Sequence, residues 1–111
     1  MLIISAQPGE EVLESISRQL AEQGVHNGAI VSLIGAVDRY CISNMPTRNA
    51  KDDILTEYDE PGELSGTGEI IDGVLHLHAV LGTEGDTARA GHLHWAHADT
   101  WFVRAYVMPA D

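Results

Sequence analysis

Two hydrophobic rhythms run along this chain, and the change from one to the other divides it. Residues 2–5, "LIIS", make a short apolar run that reads as a strand. In "QPGEEVLESISRQLAEQG" (7–24) the period is helical, with Val12, Leu13, Ile16 and Leu20 on one stripe. Pro8 suits the first turn, Glu10 and Glu11 complement the positive end of the helix dipole, and Gly24 is placed to stop the helix. From Gly28 the period becomes that of strands. "GAIVSLIG" (28–35) and "AVDRYCIS" (36–43) are rich in β-branched residues, and Gly35 between them marks a bend or bulge. "NMPTRNAKD" (44–52) is a surface loop, and "ILTEY" (54–58) an exposed strand ended by "DEPG". "LSGTGEII" (64–71) and "VLHLHAVLG" (74–82) are strands joined by Asp72-Gly73, a strong hairpin signal. "AGHLHWA" (90–96) and "TWFVRAYVM" (100–108) complete the set. One long helix and about seven strands, linked mostly by short turns, predict one α+β domain over residues 1–111. Its centre is a largely antiparallel β-sheet flanked by the helix.

The chemistry sits in two of those strands. Residues 76–97, "HLHAVLGTEGDTARAGHLHWAH", hold five of the six histidines. Alternation puts His76 and His78 on one face, and likewise His92 and His94. If the segments pair across "GTEGDTARA", the register that sets His78 opposite His92 also sets His76 opposite His94. Four imidazoles then converge, whereas His97 has the opposite parity and points away unless a bulge intervenes. Imidazole ligands suit zinc, iron, nickel or copper rather than magnesium or calcium. Hydrogen-bonded surface histidines on an amphipathic hairpin, or a pH-responsive cluster, are the competing readings.

Composition removes several other functions. Seventeen Asp and Glu against six Lys and Arg leave a net charge of −11, and no two cations are adjacent. This acidic protein therefore lacks the cationic surface that drives sequence-independent nucleic-acid binding. "GTG" and "GTEGD" precede strands, not helices, so they do not make a phosphate loop. Ser65 lacks a nucleophile-elbow context, and Cys41 reads as a buried structural thiol. Cys41 is also the single cysteine, which fits a reducing compartment. No apolar run approaches the ~20 residues of a membrane span, and "MLIISAQPGEE" lacks the features of a signal peptide. The expected location is cytoplasmic, with no membrane partner.

In order along the chain, "PGEEVLESI" (8–16), "GAV" (35–37), "LSGTGEI" (64–70), "LHLHAVLG" (75–82) and "AGHL" (90–93) resemble the plant and prokaryote conserved (PPC) domain family. The resemblance spans nearly the whole chain. It implies an antiparallel sheet with a flanking helix, a homotrimer, and in many prokaryotic members a metal held by three histidines. Carried over by motif, the ligands are His76 and His78 of "HLHA" and His92 of "GHL". His94 and His97 lie outside the family pattern. Plant members carry a basic AT-hook tail that grips the DNA minor groove, whence the family's DNA-binding label; no such tail stands in this sequence. Ala90 replaces the usual first glycine of "GGHL", and Gly62 stands where many relatives have a glutamate, leaving Glu63 as its substitute.

Two functions follow as expectations. One is a metal-binding homotrimer, with a divalent transition metal, zinc by preference, and an open position for a small-molecule ligand. A metal-dependent lyase or hydrolase is then conceivable, with Glu63, Glu69 or His94 as proton carrier. The alternative is a regulatory or DNA-associated module in which the metal is structural. Trp95, Trp101, Phe102 and Tyr106, close together near the end, are expected to be partly buried between subunits, with the metal site near the boundary.

Overall fold

The computed structural model describes residues 1–110. Its elements are β1 (Leu2–Ala6), β2 (Glu10–Glu11), α1 (Val12–Glu22), β3 (Gly28–Val37), β4 (Arg39–Asn44), β5 (Ile54–Tyr58), β6 (Gly62–Ile71), β7 (Val74–Thr83), β8 (Thr87–Ala98) and β9 (Val103–Pro109). Nine strands make one sheet in the order β1-β9-β3-β6-β7-β8-β4-β5, with β2 added on β8. Every pairing is antiparallel. The largely antiparallel sheet with one helix is as expected; the count of about seven strands is corrected to nine.

The difference has local causes. The expected helix over 7–24 yields its first residues to other structure: Gly9 adopts a left-handed φ of 93°, its N–H bonds to Ala98 O at 2.7 Å, and Glu10–Glu11 pair with Ala98 and His97. Glu11 then caps α1, its carboxylate accepting from Leu13 N (3.1 Å) and Glu14 N (2.8 Å). Gly35 is not a break either. β3 runs through it to Val37, and a Cβ there would overlap the carbonyl of Phe102 on the neighbouring chain segment. The Asp72-Gly73 hairpin is as expected, with both residues left-handed at φ 49° and 78°.

The sheet has two unlike faces. On one, Ile4, Ile30, Leu33, Leu77, Leu93 and Val107 are fully buried with Val12, Ile16 and Leu20 of α1 in a single core. Strand alternation therefore turns His76, His78 and Val80 of β7 to the other face. That face has no helix over it. The 45–53 loop borders part of it, supplying Met45, Ala50 and Asp53 to the lining of a cavity. Among the described residues, no helix is long and apolar enough to cross a membrane.

Candidate metal centre

The histidine strands pair as their spacing predicts: His78 lies opposite His92, and Leu77 opposite Leu93. Three imidazoles gather there, with ring centres 4.4 Å apart for His76 and His92, 5.0 Å for His76 and His78, and 6.0 Å for His78 and His92. Imidazoles bonded tetrahedrally to one zinc ion, at N–Zn near 2 Å, stand with ring centres roughly 5 Å apart. The spacing therefore suits a three-histidine site. The nitrogens themselves are not converged: among the described residues, no three His, Cys, Asp or Glu side chains form a ready metal-binding group.

The strands are held close by residues without side chains. A Cβ at Gly66 or Gly68 of β6 would overlap the carbonyl oxygens of His78 and His76 respectively. A Cβ at Gly91 would lie 2.5 Å from Ser43 O and 2.8 Å from Asn44 Nδ2, and Asn44 Nδ2 donates to Ala90 O at 2.8 Å. The glycines of "SGTG" and "AGHL" thus set the backbone spacing on which the imidazoles sit.

His94 occupies the position that β8 does not pair. Cys41 of β4 faces Trp95 and Ile42 faces Leu93, so one residue is left over between them. This is a β-bulge, and it shifts the alternation: Leu93, Ala96 and Ala98 are buried, while His92, His94, Trp95 and His97 are half-buried. His97 accordingly joins the face of the other histidines, but its ring meets Trp95 (5.5 Å) instead of the cluster. His94 stacks on His92 at 4.4 Å and 22°, and its Nε2 shares a 2.7 Å hydrogen bond with the Ser43 hydroxyl. The paired ladder of β7 and β8 stops at Leu77 and Leu93, and His76 packs diagonally on His92.

His76, His78 and His92 line a cavity of about 740 Å³ together with the polar residues Ser43, Asn44, Asp53, Ser65 and Thr67 and the apolar residues Met45, Val80 and Ala90. Burial lowers the pKa of His92, and the neighbouring histidines His94, His76 and His78 lower it further. The neutral form it favours is the form that ligates metal.

The two glutamates part company. Glu69 is the cross-strand neighbour of His76 and exposed. Glu63 pairs with Gly82 and borders a different cavity with Asp38, Glu84, Asp86 and Trp101. Ser43 and Asp53 were not legible as site residues. Ser43 lies in a strand without polar patterning, and Asp53 belongs to an acidic stretch that reads as solvated surface.

Such a helix-backed antiparallel sheet has known counterparts. The chain belongs to the Plants and Prokaryotes Conserved (PCC) domain family, whose profile matches residues 1–108. It is similar to a metal-containing protein of Archaeoglobus fulgidus, at 27% identity and a TM-score of 0.81 over 97% of this chain and 77% of that one. It shares its fold with a PPC protein of Pyrococcus horikoshii (19% identity, TM-score 0.81, 99% and 80% covered). A protein of Bacteroides thetaiotaomicron, provisionally described as DNA-binding, has the same fold (23% identity, TM-score 0.83, 98% and 78% covered). The chain matches none of the functionally curated proteins.

Proposed function

We propose that this chain is a metal-binding homotrimeric protein, in which His76, His78 and His92 hold one divalent transition ion, zinc by preference, beneath a small-molecule pocket. The observation that carries this reading is the gathering of three imidazoles, 4.4–6.0 Å apart, in the lining of a cavity. The 27%-identical Archaeoglobus relative, described as metal-containing, supports it. A three-histidine ion would leave a position for water, or for a substrate carbonyl that it polarises. Around it, Thr67, Ser65, Asn44 and Asp53 offer hydrogen bonds and Val80, Met45 and Ala90 an apolar wall. Of the two glutamates expected as proton carriers, Glu69 lies beside His76 but outside the cavity lining and Glu63 borders the other cavity; Asp53 is the carboxylate that lines the histidine cavity. The single thiol, Cys41, is free, consistent with a cytoplasmic setting.

Purified protein is expected to carry up to one first-row transition ion per chain by plasma mass spectrometry. Replacing His76, His78 or His92 with alanine abolishes it. Full metal content in the triple variant would overturn the assignment.

Direct DNA binding does not belong to this reading. The cavity is lined by no Lys or Arg, and the chain carries −11. Counterion release, which drives protein–DNA association, needs clustered cations. No shift of a duplex is expected in a gel at physiological salt with nanomolar protein; a salt-sensitive shift there would contradict this.

A further inference from the structure

Residues i and i+2 of a regular strand stand roughly 6.6 Å apart. The His92 and His94 rings are nevertheless 4.4 Å apart and within 22° of parallel. On unbulged β7 the same spacing brings the His76 and His78 rings to 5.0 Å, but edge-on. The near-parallel stack of His92 and His94 stands at the bulge, where the extra residue bends β8 and increases its local twist. His94 is also fixed from the far side. Its Nε2 is engaged at 2.7 Å by the hydroxyl of Ser43, a residue only 2% exposed and directly opposite His92 on β4. The bulged end of β8 is itself secured, since Ala96 N donates to the Glu11 carboxylate at 2.9 Å. Ser43, His94 and His92 thus form a chain in which a buried hydroxyl orients one imidazole, and that imidazole lies flat against the next.

We infer that His94 is a positioning residue: held by Ser43, it fixes the direction of the His92 ring and is not itself a metal ligand. The nitrogen that would have to reach the ion is the one Ser43 occupies, or else its partner on a ring already stacked against His92. Partners that hold a ligating ring in place typically change metal affinity about 10- to 100-fold when removed. The part of this inference that concerns the ion rests on the three-histidine reading above; the part that concerns the ring does not.

The experiment has two readouts on the full chain. In metal-free protein, heteronuclear correlation of the histidine rings reports the His92 Cδ2–H, shifted by the ring current of its neighbour. His94→Ala is expected to move that signal toward the value of a free imidazole, while His94→Phe, which keeps an aromatic ring but cannot bond Ser43, retains most of the shift. Ser43→Ala keeps the sheet and frees the His94 ring, giving an intermediate shift with unchanged far-ultraviolet dichroism. In cobalt(II) titrations, His94→Ala is expected to weaken binding about 10- to 100-fold. His94→Phe recovers most of the loss, and the visible ligand-field bands keep their positions because no nitrogen donor has left.

Two results overturn the inference. In one, His92 signals and cobalt affinity are the same in His94→Ala as in the wild type. In the other, His94→Phe binds as weakly as His94→Ala and the bands move, which makes His94 a fourth ligand. A wild type that takes up no cobalt ends the metal reading, and the ring signals then judge the role of His94 alone.

Discussion

Cys41 and Ser43 alternate on β4 on the face of the histidines, yet both are 2% exposed. The Cys41 thiol is pushed up from its ordinary pKa by burial, with the Glu57 carboxylate opposite it adding to the shift. A thiol is nucleophilic as the thiolate, so Cys41 is inert at neutral pH for reasons of both ionisation and access. Alkylation by iodoacetamide at pH 7.5 is expected to run on the order of tenfold or more slower than that of a free cysteine peptide, because burial both disfavours the thiolate and blocks access to it. Labelling at the peptide's rate would contradict the burial. At this scale the sequence is informative where a residue type has one physical use. His76 and His78 share a face because strand alternation is period two, and His92 joins them through the register of the β7–β8 hairpin, which the sequence spacing also suggests. Ser43 offers no such handle. A serine between Ile42 and Asn44 has the same local signature whether its hydroxyl meets water or the ring of His94, and only the β4–β8 pairing decides.

At the scale of elements, Glu11 shows how the helix and the site strand are joined. One carboxylate oxygen accepts from Glu14 N, and the other from both Leu13 N and Ala96 N. The last of these satisfies a backbone group just beyond the bulge that carries His94. Replacing Glu11 by alanine removes the cap of α1 and leaves the Ala96 N–H without that partner. A cap contributes about 1 kcal/mol, and an unsatisfied part-buried N–H costs about 1–3 kcal/mol. A fall in Tm of roughly 8 °C or more is expected from thermal unfolding, with Glu11→Gln intermediate. A change below 2 °C would show that water replaces the carboxylate at both sites. The hydrophobic period located α1 and the long strands, but it assigned Glu10 and Glu11 to the helix. Acidic residues before an amphipathic stripe fit a helical first turn equally well as a cap, and the pairing of β2 with β8 is a long-range event without local signature. The bulge was hidden for the same reason. "HLHWAHA" alternates correctly through His94, and the slip shows only in the neighbour across the ladder.

At the scale of the molecule, one face of the sheet is covered and the other is not. The dimensions are 38 × 35 × 18 Å, a slab instead of a sphere. Its surface of 6520 Å² exceeds the roughly 6000 Å² usual for a compact monomer of 12.0 kDa. On the bare face Ile3, Val31, Ile34 and Met108 of the adjacent strands β1, β9 and β3, and Val80 of β7 beyond β6, are 45–61% exposed. Ile34 faces Ser65, and Ser65 faces Val80, so this ground adjoins the cavity of the histidines across a single serine. Trp101 at the β8–β9 turn is 61% exposed, while Trp95, Phe102 and Tyr106 are half-buried. A stable interface takes roughly 800 Å² from each partner. A face of 38 × 35 Å has room for that and for a second contact, as a ring of three copies requires. The expected particle is a homotrimer in which neighbouring copies cover this face and wall the cavity. Light scattering after size exclusion should return three times the 12.0 kDa of one chain. Ile34→Glu, which places a charge at the centre of the bare face and touches no imidazole, should yield monomers of unchanged secondary structure. A 12.0 kDa wild-type monomer at micromolar concentration, with metal bound, would rule this assembly out and leave the apolar face to some other partner.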